Sequence, residues 1–230
     1  MPLFWDRSPD EGDTLPKSQT WMMGFAGGVM TAASVWSMLL PAIEQTREAG
    51  VLPCWIPAAA GTAAGAAFLC ALDALILRLR RGGSAEKSSM LMTAITLHNV
   101  PEGMAVGLAF ALSGGSDGLT AAAALALGIG VQNIPEGAAV SLPLRRMGMS
   151  RGRAFSMGVL SGAVEPLFGM LAVIAVSGIS RIMPWLLGFS AGAMLYVVVC
   201  ELIPAADDRR GLFWYVAGFL LMMILDVALG

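Results

Sequence analysis

The sequence predicts an all-α fold, a polytopic bundle of seven transmembrane helices, and three observations carry that prediction. Of its 230 residues, 57% are hydrophobic and only 13% are charged, with a positive mean hydropathy. The apolar residues gather in runs long enough to cross a bilayer core, which takes roughly 20 residues of helix. Trp21, Trp55, Trp185 and Trp214 stand at or near the starts of four runs, where an amphipathic ring suits the headgroup zone. No soluble class has this balance. A net charge of −2 says nothing about partners when lipid covers most of the surface, and no nucleic-acid partner is expected. Cys54, Cys70 and Cys200 form no CxxC pair, so neither a disulfide framework nor a thiolate metal site is indicated.

Residues 1–19 carry Asp6, Asp10, Glu11 and Asp13 among prolines, without the basic-then-apolar order of a signal peptide. They read as a polar, disordered cytoplasmic tail, and 20–230 as a single transmembrane domain. The first span, 20–43, has Gly24 and Gly28 at a four-residue spacing and is expected to end at Pro41, before Glu44. The second, 52–79, carries Gly61 and Gly65 at the same spacing. Such small faces let helices approach closely where lipid offers no hydrophobic drive. Spans 89–112 and 118–143 are joined by the short loop Ser113-Gly114-Gly115-Ser116-Asp117-Gly118, which makes them antiparallel neighbours. Three more spans follow at 154–178, 182–205 and 212–229.

Basic residues orient the bundle. Arg78, Arg80, Arg81 and Lys87 separate spans two and three; Arg145, Arg146, Arg151 and Arg153 separate four and five; Arg209 and Arg210 separate six and seven. With Arg7 and Lys17, 12 of the 14 basic residues fall on one side, leaving only Arg47 and Arg181 on the other. The positive-inside rule makes the crowded side cytoplasmic, with the N-terminus inside and the C-terminus outside.

The third and fourth spans repeat one string, Asn99-Val100-Pro101-Glu102-Gly103 and Asn133-Ile134-Pro135-Glu136-Gly137. A carboxylate at the centre of a membrane helix costs about 2.5–3.5 kcal/mol on insertion scales. Two of them in register therefore point to a polar site between two helices. His98 and Glu102 are four residues apart and share a helix face, as do Gln132 and Glu136. Asn99 and Asn133 flank that face three residues before the glutamates. Pro101 and Pro135 lack an N–H and crowd the carbonyls of Leu97 and Val131, so each is expected to kink its helix. Imidazole nitrogen with carboxylate and amide oxygens suits divalent first-row metals, and the absence of thiolates argues against Cu(I). No cation in sequence partners Glu102 or Glu136, so a metal or a shared proton is the way to stabilise them.

Glu165, in Ser161-Gly162-Ala163-Val164-Glu165-Pro166, is a further intramembrane carboxylate beside a helix breaker and a candidate member of the site. Glu201 and Asp226 lie nearer span ends, where a side chain can snorkel to water. Asp73, five residues before Arg78, reads as half of an interfacial ion pair.

These strings resemble the ZIP family of divalent metal transporters, in its bacterial branch. The match runs from about residue 21 to the C-terminus, on HNVPEG at 98–103, QNIPEG at 132–137, SGAVEP at 161–166, YVVVCELIP at 196–204 and LDVALG at 225–230. Members of the family have eight helices and carry the paired motif on the fourth and fifth. Here the pair falls on spans three and four, so the resemblance implies seven spans without the family's first helix. It also implies a binuclear site, with His98, Glu102, Gln132 and Glu136 around one ion. Asn99, Glu102, Asn133, Glu136 and Glu165 would surround the other, the two glutamates bridging. A homodimer in the cell (inner) membrane and movement of the motif helices against the rest are implied as well. Gln132 stands where many relatives have a second histidine and Asn133 where some have aspartate. Cys200 replaces a common His or Glu, and the usual His-rich loop is missing.

The expected function is uptake of divalent transition metals, zinc foremost and iron, manganese, cobalt or cadmium as alternatives. The metal is then a transported substrate and not a prosthetic group. A membrane-embedded metal-dependent hydrolase is the rival; the only histidine excludes HExxH, and no serine sits in a nucleophile context. A metal-binding partner that does not transport is the second rival.

Overall fold

The computed structural model describes residues 17–79, 85–113, 115–146, 148–206 and 209–229. All of the regular structure there is helical. Helix α1 (Lys17–Ala33) passes through a π-helical turn (Ser34–Leu39) into α2 (Leu40–Ala49), so one rod replaces the span expected to stop at Pro41. The wide turn explains the difference. Leu40 N–H reaches back five residues to the Val35 carbonyl, and Pro41 then occupies the first turn of α2, where a missing N–H leaves no bond unmade. The rod starts at Lys17, inside the tail expected to reach residue 19; residues 1–16 of that tail lie outside the described residues.

Helices α3 (Trp55–Leu79), α4 (Ala85–Leu112) and α5 (Gly115–Arg146) follow. The fifth rod is broken into α6 (Arg151–Gly162) and α7 (Val164–Ile174) at Ala163. Helix α8 (Val176–Val197) runs through a second π turn (Val198–Leu202) into α9 (Ile203–Ala205), and α10 (Arg209–Leu229) closes the bundle. Helices α4 and α5 continue unbroken through positions 101 and 135.

Six stretches among the described residues are long and apolar enough to span: Thr20–Ala49, Trp55–Leu75, Gly118–Ala138, Arg151–Ile174, Arg181–Ala205 and Arg209–Ala228. In α4 the described stretch Glu102–Leu112 is a shorter apolar helix. Helix direction decides the count. Gly24 faces Gly211, Gly28 faces Tyr215 and Phe219, and Ser37 bonds Asp226, so α1 and α10 run the same way. Two parallel rods at the ends of a serpentine chain require an odd number of crossings, which six is not. Helix α4, with 28 residues, is the seventh. The same test holds for α3 and α8, whose contacts climb from Gly61–Trp185 through Gly65–Phe189 to Asp73–Tyr196.

The parallel pairs are close because glycine lets backbones touch. A methyl on Gly28, Gly61, Gly65, Gly192 or Gly218 would collide with main chain of the opposite helix. Packing is therefore tight in the α1/α10 and α3/α8 pairs, while α5 lies against α4, α6, α1 and α10 with its outer face open. Ile134 inside the second motif is 73% exposed, toward what a bilayer would cover. Asp73 accepts a hydrogen bond from the Tyr196 hydroxyl at 3.2 Å; the Arg78 side chain, its expected ion-pair partner, lies outside the described residues.

Candidate metal site

Four helices build the site. Helix α4 supplies Asn99 and Glu102, α5 supplies Asn133 and Glu136, and the broken rod α6–α7 supplies Ser161 and Glu165. Glu102 and Glu136 are 0% and 1% exposed, and Asn99 is 1% exposed. Carboxylates so deeply enclosed in an apolar bundle are far more costly than surface ones and need compensating partners.

The break at Ala163 is what admits the fifth rod to the site. Pro166 has no N–H for the helix and stands three residues beyond the interruption, in the first turn of α7. The carbonyl of Ser161, at the end of α6, accepts the Asn99 side-chain N–H at 3.0 Å. One turn on, Asn133 Nδ2 donates to Glu165 Oε2 at 2.6 Å. The two motif asparagines thus grip the fifth rod on either side of its interruption. Gly103 brings α4 still closer, because a Cβ there would overlap the Glu165 main chain; Gly107 meets Gly169 in the same manner one turn along.

Both amides commit their N–H groups to α6–α7, which turns their oxygens the other way. Asn99 Oδ1 and Asn133 Oδ1 are buried and accept no hydrogen bond, and the same holds for Glu165 Oε1. Buried acceptors without partners are uncommon in native proteins, and each one calls for an ion, a water or a functional reason. Among the described residues no three His, Cys, Asp or Glu side chains close into a metal cage on their own. The donor set is instead mixed, with amide oxygens between carboxylates.

Of the seven residues anticipated from sequence, Asn99, Asn133 and Glu165 meet at the break, and Glu102 and Glu136 are buried one turn beyond the two asparagines on the same helices. His98 and Gln132 occupy their expected places on α4 and α5, one turn before the glutamates, while their side chains lie outside the described residues. Sequence reasoning missed the Ser161 carbonyl. The serine preceding Gly162 and the proline after Glu165 were the available signals. It also missed the bond from Ser37 Oγ to Asp226 Oδ1 at 2.8 Å, which ties the π turn of the first rod to the last helix.

The profile of the ZIP zinc transporter family matches residues 77–226, which include all four site-building helices. The chain belongs to the ZIP zinc transporter family. It is 38% identical to the zinc transporter GufA of Myxococcus xanthus, over 93% of this chain and 88% of that protein. It is 36% identical to the zinc transporter ZIP11 of Xenopus tropicalis, over 90% and 87%, and 37% identical to the zinc transporter ZIPB of Bordetella bronchiseptica, over 93% and 72%. Membership makes this ZIP protein a multi-pass membrane transporter and not an enzyme. Metal ions are its substrate and not a resident cofactor.

Proposed function

We propose that this ZIP protein carries zinc into the cytoplasm through a two-ion site between α4, α5 and α6–α7. His98, Glu102, Gln132 and Glu136 hold the first ion. Asn99, Asn133 and Glu165 join the two bridging glutamates around the second. The observation that supports this most directly is the trio of buried acceptors, Asn99 Oδ1, Asn133 Oδ1 and Glu165 Oε1, around the break at Ala163. Amide and carboxylate oxygens suit a divalent cation, and imidazole beside one of the two positions favours zinc over calcium or magnesium.

The two positions differ in strength. Two divalent ions bring +4, whereas Glu102, Glu136 and Glu165 supply −3 and both asparagines are neutral. The second position therefore fills after the first or holds its ion in passage, since uncompensated charge is costly at low dielectric. Inward direction follows from the 12 of 14 basic residues on the side of the Arg145–Arg153 turn, which the positive-inside rule assigns to the cytoplasm. A homodimer in the cell (inner) membrane completes the reading by family resemblance.

The test is reconstitution of the full chain in liposomes loaded with a metal-sensitive dye, comparing Zn²⁺, Fe²⁺, Mn²⁺ and Cd²⁺. Zinc influx that depends on Glu102 supports the reading. A protein that binds zinc in equilibrium titration yet moves none of the four ions overturns transport and leaves a binding role.

A further inference from the structure

The turn joining α5 to α6 carries four arginines, and among the described residues no carboxylate pairs with them. Helix α5 ends in a left-handed glycine, Gly148 at φ 87°. Gly148 N–H bonds the Arg145 carbonyl at 3.1 Å and Met149 N–H bonds the Leu144 carbonyl at 3.2 Å, the paired closure that fixes a helix end. Arg145 Nη1 also donates to the Met149 carbonyl. Ser150 then caps α6, its Oγ accepting the Arg153 N–H at 3.4 Å. Within these nine residues stand Arg145, Arg146, Arg151 and Arg153, and no Asp or Glu occurs anywhere from 137 to 164.

The side chains of Arg145, Arg151 and Arg153 are exposed. Among the described residues the one ion pair is Arg47–Glu44, at the far end of another rod, so no carboxylate there answers these guanidinium groups. Phe155, half a turn into the span, is 69% exposed beside them. An exposed basic turn with an adjacent outward aromatic, at the border of a membrane span, complements one chemistry well. Guanidinium pairs with phosphate oxygens in bidentate fashion, and the aromatic suits the glycerol and upper acyl region.

We propose that the Arg145–Arg153 turn binds the headgroup of an anionic phospholipid. Because this turn is the direct covalent link between α5, which bears Asn133 and Glu136, and α6, which offers the Ser161 carbonyl, the lipid grips the site helices at their shared end. The inference rests on the membrane-spanning fold and not on which ion is carried.

The test is binding, independent of transport. Phosphatidylglycerol and phosphatidylcholine are titrated at equal concentration into the full-length protein in neutral detergent, and retained lipids are counted by native mass spectrometry. Each arginine near an anionic headgroup is worth about a fivefold change in affinity. Wild type should retain phosphatidylglycerol preferentially, and the tightest-held copy should be lost in Arg145→Gln/Arg151→Gln/Arg153→Gln. The corresponding triple lysine variant should keep much of it, as should Arg209→Gln/Arg210→Gln. If the triple glutamine protein does not fold, the single variants decide, each expected to weaken binding about fivefold. No preference in wild type, or a preference that survives removal of the three charges, overturns the proposal.

Discussion

Gly103 of α4 lies against the main chain of Glu165 in α7, so close that a single added methyl would overlap it. The contact holds one motif helix against the only carboxylate of the site that lies outside the repeated motif. It is parallel to the Asn99–Ser161 bond one turn earlier and the Gly107–Gly169 contact one turn later. The glycine of the motif is thus a packing requirement for the site and not a hinge residue alone.

Gly103→Ala should therefore separate α4 from α7 and abolish zinc uptake. Overpacking of this kind costs about 1–3 kcal/mol, so the thermal midpoint in detergent should fall as well. Gly130→Ala on α5 is the control, because its Cβ would meet open space. Uptake by Gly103→Ala at the wild-type rate would remove this contact from the account.

Glu102→Ala and Glu136→Ala should abolish uptake while leaving expression and insertion intact, because in the proposed two-ion site each glutamate bridges both ions. His98→Ala removes a ligand of one ion only and should weaken uptake more mildly. Dye-loaded liposomes measure all three, and wild-type flux through a well-inserted Glu102→Ala protein would overturn the site assignment.

Asn133→Asp should have opposite effects with and without metal. The substitution replaces the N–H that Glu165 accepts at 2.6 Å with a second anionic oxygen. The metal-free protein loses a charge-assisted hydrogen bond worth about 1.5–3 kcal/mol and gains a repulsion. A bound cation relieves both, so zinc should bind more tightly at the second position and stabilise the variant more than wild type. Slower release should also lower turnover at saturating metal. Calorimetric titration together with melting curves at several zinc concentrations checks this. Equal zinc-dependent stabilisation of the two proteins would show that Asn133 does not face the ion.

Orientation can be read from thiol labelling in a background with Cys54, Cys70 and Cys200 replaced. Ser116→Cys, exposed at the start of α5, should react from outside with an impermeant reagent. Gly152→Cys, exposed in α6, should react only after permeabilisation, and it leaves the Ser150 cap in place. The reverse pattern would invert the bundle and turn uptake into efflux.

Ser37→Ala should destabilise the pairing of the first rod with α10. It deletes the hydroxyl that donates to Asp226 Oδ1, whose other oxygen, Oδ2, is buried and accepts nothing. The loss of a hydrogen bond to a charged group predicts a cost of about 1.5–3 kcal/mol, readable as a lower melting temperature in detergent. An unchanged midpoint would mean that water replaces the serine.

Sequence alone determined the class of this protein and pointed to the residues of its candidate site. Long apolar runs can satisfy their backbone in a bilayer only as helices, and intramembrane carboxylates in a repeated string are too costly to be incidental. Both signals are local, so they are legible residue by residue. Tertiary structure decided what depends on two helices meeting. Seven spans already make the first and last helices parallel; which residues they bring together, such as Ser37 and Asp226, 189 positions apart, only the tertiary contacts decide. The passage of the first rod through Pro41 required a π turn, whose register no local propensity announces. The Ser161 carbonyl became a partner of Asn99 because the fifth rod breaks where Gly103 lets it approach. A backbone carbonyl carries no sequence signature, and only its neighbours in space reveal that it is left for a side chain to use.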